Sequence, residues 1–299
     1  MARQINPPHI KLDVAALDIW EPLAESAMLA HQWSQALCIG CGSYHGAWQI
    51  LRLLGVLNSM RSDDDFLISQ LDLEIGRGAR KILVSGAADY AIQARIAAVA
   101  KRHKATPRIT ILDLCETPLK LNRWYATRAG MDAHLLQDNI LKYHNPDHFD
   151  LVCTHSFLPF FSPDERRKLV EVWWHCLAPG GAVLTAQRTR PNDTSRWHVF
   201  TKAQADELGQ RACDLAEEQY DRLGIEPEQA RRLAIDYAVG RSTYVLRDSE
   251  QLRRLFLQQG FELEKFSPPG QGQLAKDLPS TPTEPGHFRM RILARKPLS

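Results

Sequence analysis

The sequence has no marked excess of one charge. Lys and Arg number 37 against 35 Asp and Glu, a formal net charge of +2 at pH 7. That balance supplies no basic stripe for nucleic acid, so no nucleic-acid partner is expected. No uncharged apolar run reaches the roughly 20 residues that cross a bilayer, so no membrane partner is expected either. The first residues, "MARQINPPHIKLDVAAL", have no apolar core and no small-residue cleavage site, which leads to the expectation of a cytoplasmic protein. Cysteine is sparse: six residues, of which Cys38 and Cys41 form a single CxxC. A structural zinc site takes about four ligands and no second CxxC supplies them, so the pair reads as ordinary reduced cysteines, with a redox role as the other reading. No metal is expected. A GxGxxG loop is missing as well, which argues against an NAD(P) oxidoreductase. No internal repeat or low-complexity segment stands out.

What is present suits a globular chain. It has 299 residues, 44% apolar and 24% charged, enough for one large domain or a domain with an attached cap. Apolar residues at helical spacing predict helices over 12–32 and 44–57, and "SDDDFLISQLDLEIGRG" predicts a third with an acidic first turn. Residues 1–79 therefore form an expected helical N-terminal cap. From Lys81 strands and helices alternate. "KILVSG", "RITILDL", "DAHLLQDN", "FDLVCTHS" and "AVLTAQR" are strand-like, and helical stretches separate most of them. One of these stretches, "SPDERRKLVEVWWHC", runs up to the turn "LAPGG" and carries Trp173 and Trp174, expected as core or interface residues and not as substrate contacts. Alternation of this kind implies a doubly wound, mostly parallel α/β sheet. Two amphipathic helices within 192–240 interrupt the order and read as an insertion. A last helix, "DSEQLRRLFLQQGF", precedes "FELEKFS" and "HFRMRILARKP", which suggest an antiparallel edge hairpin around a long loop at 268–286. The expected layout is a cap over 1–79 and a Rossmann-like domain over 80–299 with the helical insertion 192–240.

Ligands of such sheets sit beyond the carboxyl ends of the strands, so the residues following each strand matter most. After the first strand come Gly86, Ala87, Ala88 and Asp89. Small residues there let a ligand approach the backbone, or the turn merely needs Gly86. Asp113 closes the second strand, 27 positions beyond Gly86. It reads as an acceptor for ribose hydroxyls, where a dinucleotide fingerprint has its acid roughly 20 residues on, or as a helix-capping Asp. Asp138, Asn139 and Ile140 follow the third strand, where Asp138 suits an exocyclic adenine amine or a solvated turn. Thr154 and His155 end the fourth.

The order and spacing of "ILVSGAADY", "ITILDL", "LLQDNIL", "FDLVCTHSFL" and "LAPGGAVLTAQR" resemble the class I S-adenosylmethionine-dependent methyltransferases. The resemblance covers about residues 80–190 and 240–297. It implies a seven-stranded sheet, S-adenosyl-L-methionine as cofactor and methyl transfer as the reaction. It also implies that Gly86, Ala87 and Ala88 approach the methionine part, Asp113 holds the ribose, Leu114 and Cys115 flank the adenine, Asp138 and Asn139 lie at the adenine amine with Ile140 stacking nearby, and Thr154 or His155 lines the transfer site. The chain departs from the family pattern at Val84, where an acid is usual, and at Ala88 and Tyr90, where glycines are usual.

Methyl transfer is an in-line displacement, and a hydroxyl or amine acceptor can need a base. His155 is the first candidate base and His45 the second; each also reads as a structural histidine. Tyr44 and Trp48 beside His45, Arg188 after the fifth strand, and Tyr237 and Tyr244 in and after the insertion are candidate substrate contacts, with plain packing or surface exposure as the alternative. The expected function is methylation of an oxygen or nitrogen of a small-molecule acceptor. The other reading is a protein of the same fold that binds the cofactor for a non-methylating reaction or as a scaffold. The apolar N-terminal helices also offer a face for a homodimer.

Overall fold

The computed structural model describes residues 12–41, 44–57, 60–144, 148–268 and 288–298. In chain order these begin with helices α1 (Leu23–Leu37), α2 (Tyr44–Leu53) and α3 (Asp64–Gly76). Alternation then runs β1 (Lys81–Ser85), α4 (Ala91–Arg102), β2 (Arg108–Asp113), α5 (Glu116–Ala129), β3 (Ala133–Gln137), β4 (Phe149–His155), α6 (Pro163–Cys176) and β5 (Leu177–Thr189). After it come β6 (Trp197–Val199), α7 (Lys202–Glu218), α8 (Tyr220–Leu223), α9 (Pro227–Val239), β7 (Ser242–Tyr244), α10 (Ser249–Gln258), β8 (Glu262–Ser267) and β9 (Phe288–Arg295).

The main sheet has seven strands among the described residues, in the order β3-β2-β1-β4-β5-β9-β8. The pairs among β1 to β5 are parallel, while β9 runs antiparallel to both β5 and β8. The fold is the expected doubly wound sheet with a reversed edge. Parallel strands covered on both faces need apolar side chains in both directions. β1 meets that demand: Ile82, Leu83 and Val84 are all fully buried. Ile82 and Val84 face the layer containing α3 and α4, and Leu83 faces the layer containing α6 and α10. Strand order reverses between β1 and β4, which opens a crevice at their carboxyl ends.

Several boundaries differ from the sequence-based expectation. The first helix starts after Pro22 rather than at residue 12. Leu12, Val14, Leu17 and Ile19 still pack on the core ahead of that helix, around a single 3-10 turn at Val14–Ala16. The second helix ends at Leu53, and Gly55 follows in the left-handed region at φ +77°. "LAPGG" is not a free turn; it forms the first residues of β5, whose pairing with β4 shifts register there. The insertion helices are present, the first closed by a capping box between Thr201 and Gln204. The small β6–β7 sheet at the roots of the insertion is new, since three-residue strands leave too little periodicity to read. Of the expected loop at 268–286, all but the first position lies outside the described residues. Among the described residues no helix is long and apolar enough to cross a membrane.

The insertion is not separate from the N-terminal helices. Ala47, Ile50 and Leu51 of α2 share one buried cluster with Ala205, Leu208 and Ala212 of α7 and Ala230 and Leu233 of α9. A second link runs through charge. Asp63, 2% exposed, accepts from Arg289 Nη1 (3.2 Å) and Arg291 Nε (3.4 Å) of β9, and its Oδ2 lies 3.0 Å from His155 Nε2. The acidic run before α3 thus serves the edge strand; Asp63 makes no side-chain cap to its own helix.

Removing one member of a buried charge cluster costs more than the cluster contributes net, because partners lose their compensation. Asp63→Ala is expected to destabilise the fold by about 3–5 kcal/mol. Urea unfolding checks this: the midpoint falls at constant slope. A loss below about 1 kcal/mol, the scale of an exposed pair, would show that the cluster carries little.

Candidate active site

The site begins with one glycine. Gly86 follows β1 at φ +75°, a region that costs an L-residue about 1–2 kcal/mol. A Cβ there would stand 2.3 Å from the ring of Phe157, which crosses the turn from the end of β4. Gly86 is needed for both conformation and close approach.

Asp113 joins the first three loops. Its Oδ2 accepts from Ala87 N and its Oδ1 from Cys115 N, each at 2.8 Å, and its carbonyl accepts from Asp138 N at 3.1 Å. Burial pushes the Asp113 carboxyl up, against the lowering effect of the His45 charge and of these amides. Leu114 is left 67% exposed, an open apolar side chain beside the carboxylate. Asn139 Oδ1 accepts from Leu141 N, and Asp138 Oδ1 accepts from Asn139 N.

Asp89, which follows the loop, turns to the N-terminal helices. Its Oδ2 accepts from Trp48 Nε1 at 2.8 Å and from Arg52 Nη1. Its Oδ1 accepts from Ala91 N at 2.7 Å. Arg52 also meets Glu21 at 2.8 Å, Glu21 meets Arg95 at 3.3 Å, and Arg95 meets Asp64 at 2.5 Å. Burial opposes charge on Asp89, but Arg52 and these donors hold its carboxyl below the usual range. Tyr90, at a position where the family has glycine, is fully buried; its hydroxyl lies 2.9 Å from Ser26 Oγ of α1 and its ring stacks on Tyr125. Val84, in place of the usual acid, is buried core.

A cavity of about 700 Å³ lies over these loops. Gly86, Ala87, Ala88, Asp113, Leu114, Cys115, Asp138, Asn139 and Ile140 line it. So do Tyr44, His45, Trp48, His155, Arg188, Tyr237 and Tyr244. Thr154 is not among the lining residues. It is 1% exposed and borders a separate small void with Cys153 and Leu184. His155, one residue on, opens to the cavity. Tyr44, Trp48 and Tyr237 form an aromatic stack with centroids 5.6–6.3 Å apart. Trp173 is core, its indole donating to Ser85 Oγ at 3.0 Å. Cys115 and His45 also approach the CxxC pair.

Sequence reasoning missed part of the wall. Arg190, Arg241 and Arg289 line the cavity together with Arg188. Burial, together with the charges of Arg289, Arg190 and Arg241, lowers the Arg188 guanidinium well below its usual range. One signal was available: "HFRMRIL" places Arg289 and Arg291 two apart in an otherwise apolar strand, hence on one buried face. Arg241, at the end of the insertion, carries no such pattern. Phe157 and Asp63 were also passed over, since both act across loops distant in sequence.

His155 is held by Asp63 from one side. Burial lowers its pKa, more than the Asp63 contact raises it. Asp63 itself, although burial opposes its charge, is held at about 2 by His155, Arg289 and Arg291.

The family described as "Methyltransferase domain" matches residues 94–181. The crystal structure of Burkholderia thailandensis 1,6-didemethyltoxoflavin-N1-methyltransferase, with 1,6-didemethyltoxoflavin and S-adenosylhomocysteine bound, is 16% identical, with a TM-score of 0.52 over 94% of this chain and 92% of that one. It shares the fold. The N-methyltransferase NodS from Bradyrhizobium japonicum WM9 is 16% identical, with a TM-score of 0.45 over 83% of this chain and 98% of that one. A SAM-dependent methyltransferase from Methanosarcina mazei is 17% identical, with a TM-score of 0.47 over 74% and 94% respectively. No curated protein matches the chain.

Gly86→Ala is expected to lower stability by about 1–3 kcal/mol, from the left-handed backbone and the Phe157 contact together. Phe157→Ala in the same chain restores part of the loss. Thermal melts of the two single variants and the double variant check this; strict additivity would show that ring and turn do not conflict.

Proposed function

We propose that this chain is a class I S-adenosylmethionine-dependent methyltransferase that methylates an oxygen or nitrogen of a compact acidic small molecule, a reading supported by the methyltransferase family match over residues 94–181 and the shared fold. The supporting observation is how charge is sorted along the sheet. Asp113 ends β2 and Asp138 follows β3, while Arg188 and Arg289 lie on β5 and β9, with His155 on β4 between them. One cavity therefore offers carboxylates on one side and guanidinium groups on the other.

The carboxylate side suits the cofactor. Asp113 would hold the ribose hydroxyls, Leu114 and Ile140 would flank the adenine, and the backbone at Gly86 to Ala88 would lie along the methionine part. A volume of about 700 Å³ is ample for cofactor and a small acceptor together. When bound, the cofactor supplies an activated methyl group on a sulfonium.

The arginine side suits an anion. Arg188, Arg190 and Arg241 line the cavity, and guanidinium groups bind carboxylates and phosphates through charge-assisted, often bidentate hydrogen bonds. The stack of Tyr44, Trp48 and Tyr237 would cover the acceptor's apolar body. These residues come from the N-terminal helices and the insertion, which together would form a lid over the Rossmann-like domain.

His155 would act as the base. With Nε2 set as the donor to Asp63, Nδ1 is an acceptor. Its lowered pKa keeps it unprotonated at neutral pH. Its Nδ1 would take the acceptor's proton when the acceptor displaces the thioether of the cofactor from the methyl carbon. His45, the other candidate, lies against cysteine thiols and not a carboxylate, which favours His155.

Calorimetry is expected to show binding of S-adenosylmethionine and S-adenosylhomocysteine that weakens about 10- to 100-fold in Asp113→Ala, the loss of charged hydrogen bonds worth about 1.5–3 kcal/mol. Binding of NAD in their place would overturn the reading. A second test uses labelled cofactor and a panel of small carboxylic acids and phosphate esters. His155→Ala is expected to lower turnover about 10²- to 10⁴-fold while cofactor affinity holds. Since the His155 pKa lies below the ordinary 6.5, activity persists through that pH and is lost only as pH falls further. An acid limb above it, or equal losses of turnover and affinity, would remove His155 from the role.

A further inference from the structure

The geometry points to a structural zinc ion held by Cys38, Cys41, His45 and Cys115. One ligand atom from each residue lies within 4.8 Å of all the others. Cys115 Sγ stands 3.7 Å from both Cys38 Sγ and Cys41 Sγ. His45 Nδ1 stands 3.3 Å from Cys38 Sγ and 3.6 Å from Cys41 Sγ. A tetrahedral zinc with sulfur at about 2.3 Å and nitrogen at about 2.0–2.1 Å sets its ligands about 3.8 Å apart for S···S and about 3.5 Å for S···N. The observed separations match those edges.

Other accounts of the cluster fit less well. A disulfide needs its sulfurs at about 2.05 Å, and these residues are free thiols far outside that distance. Thiols are weak hydrogen-bond donors, so hydrogen bonding alone gives little reason to gather three sulfurs around one imidazole nitrogen. Donor atoms this close together surround a single ion and leave no room for an iron–sulfur cluster. Three thiolates and an imidazole are soft ligands that select zinc over magnesium or calcium. With all four positions taken by the protein, the site is closed and structural, not a centre for activating water.

The surroundings support the same assignment. Thr117 Oγ1, fully buried, lies 3.2 Å from Cys38 Sγ, placed to donate to a thiolate. The ligands come from distant parts of the chain. Cys38 caps the end of α1, Cys41 precedes α2, His45 lies in its first turn, and Cys115 precedes α5. Zinc would therefore fasten the N-terminal helices to the β2–α5 loop, whose Cys115 N–H binds Asp113. The metal site does not depend on the chain's being a methyltransferase, and its tests read metal directly.

Protein purified from zinc-supplemented medium without chelator is expected to carry about one zinc per chain by elemental analysis. Cys115→Ser and Cys38→Ser lose it, while Cys213→Ser, on α7 away from the cluster, keeps it. Thr117→Val retains the ligands but binds zinc at least about 10-fold more weakly. Because ligand variants can fail to fold, cobalt-substituted wild-type protein provides a separate readout. Intense visible bands of tetrahedral cobalt with thiolate charge transfer, displaced by zinc, are expected. Folded wild-type protein without metal and with Cys38, Cys41 and Cys115 open to a thiol reagent would overturn the proposal. So would a Cys38–Cys41 disulfide, or a weak octahedral cobalt spectrum.

Discussion

A chain of buried charges underlies the architecture of the site. Asp64, Arg95, Glu21, Arg52 and Asp89 follow one another in contact, and the side chains of Arg52, Arg95, Glu21 and Asp89 are at most 5% exposed. Charges withdrawn from water this far are tolerated only when each finds partners of opposite sign. The segment before α1, helix α2, the start of α3 and the first site loop are therefore held in one arrangement. Moving any of them would strand a charge. The unusual loop sequence follows from this. Asp89 turns toward Arg52 and Trp48, and Tyr90 fills space against α1 that a glycine would leave empty.

The second organising feature is the order of strands. A parallel sheet places the carboxyl ends of its strands side by side, so residues remote in sequence become neighbours in a predictable series. Here the series runs from acidic residues over β3 and β2, past the glycine turn and His155, to arginines over β5 and β9. Charge is close to balanced over the whole chain yet strongly sorted within the cavity. Overall charge speaks to partners and solubility; the local arrangement decides what a cavity can hold.

Much of this was legible in the sequence because it is local. Each strand is a short apolar run, and each site loop follows one directly. Gly86, Asp113, Asp138 and His155 could be placed from that rule alone, and all four line the cavity. Thr154 shows its limit. The end of a strand can be located to within a residue, but which of two successive side chains faces the ligand depends on the pleat. Arg188 met a different difficulty: an arginine after a strand looks the same whether it points to solvent or, as here, over a cavity roofed by the insertion.

The sequence by itself determined the alternating sheet, its reversed edge, the helical insertion and the loops that border the site, since apolar periodicity and turn residues act over a few positions. Tertiary structure alone decided which distant side chains meet. Asp63 joins Arg289 and Arg291 across more than 220 residues, and Cys115 reaches the CxxC pair across more than 70. No local pattern records such encounters. Burial enforces them, because a charge or a cluster of thiols removed from water must find its partners wherever the fold brings them.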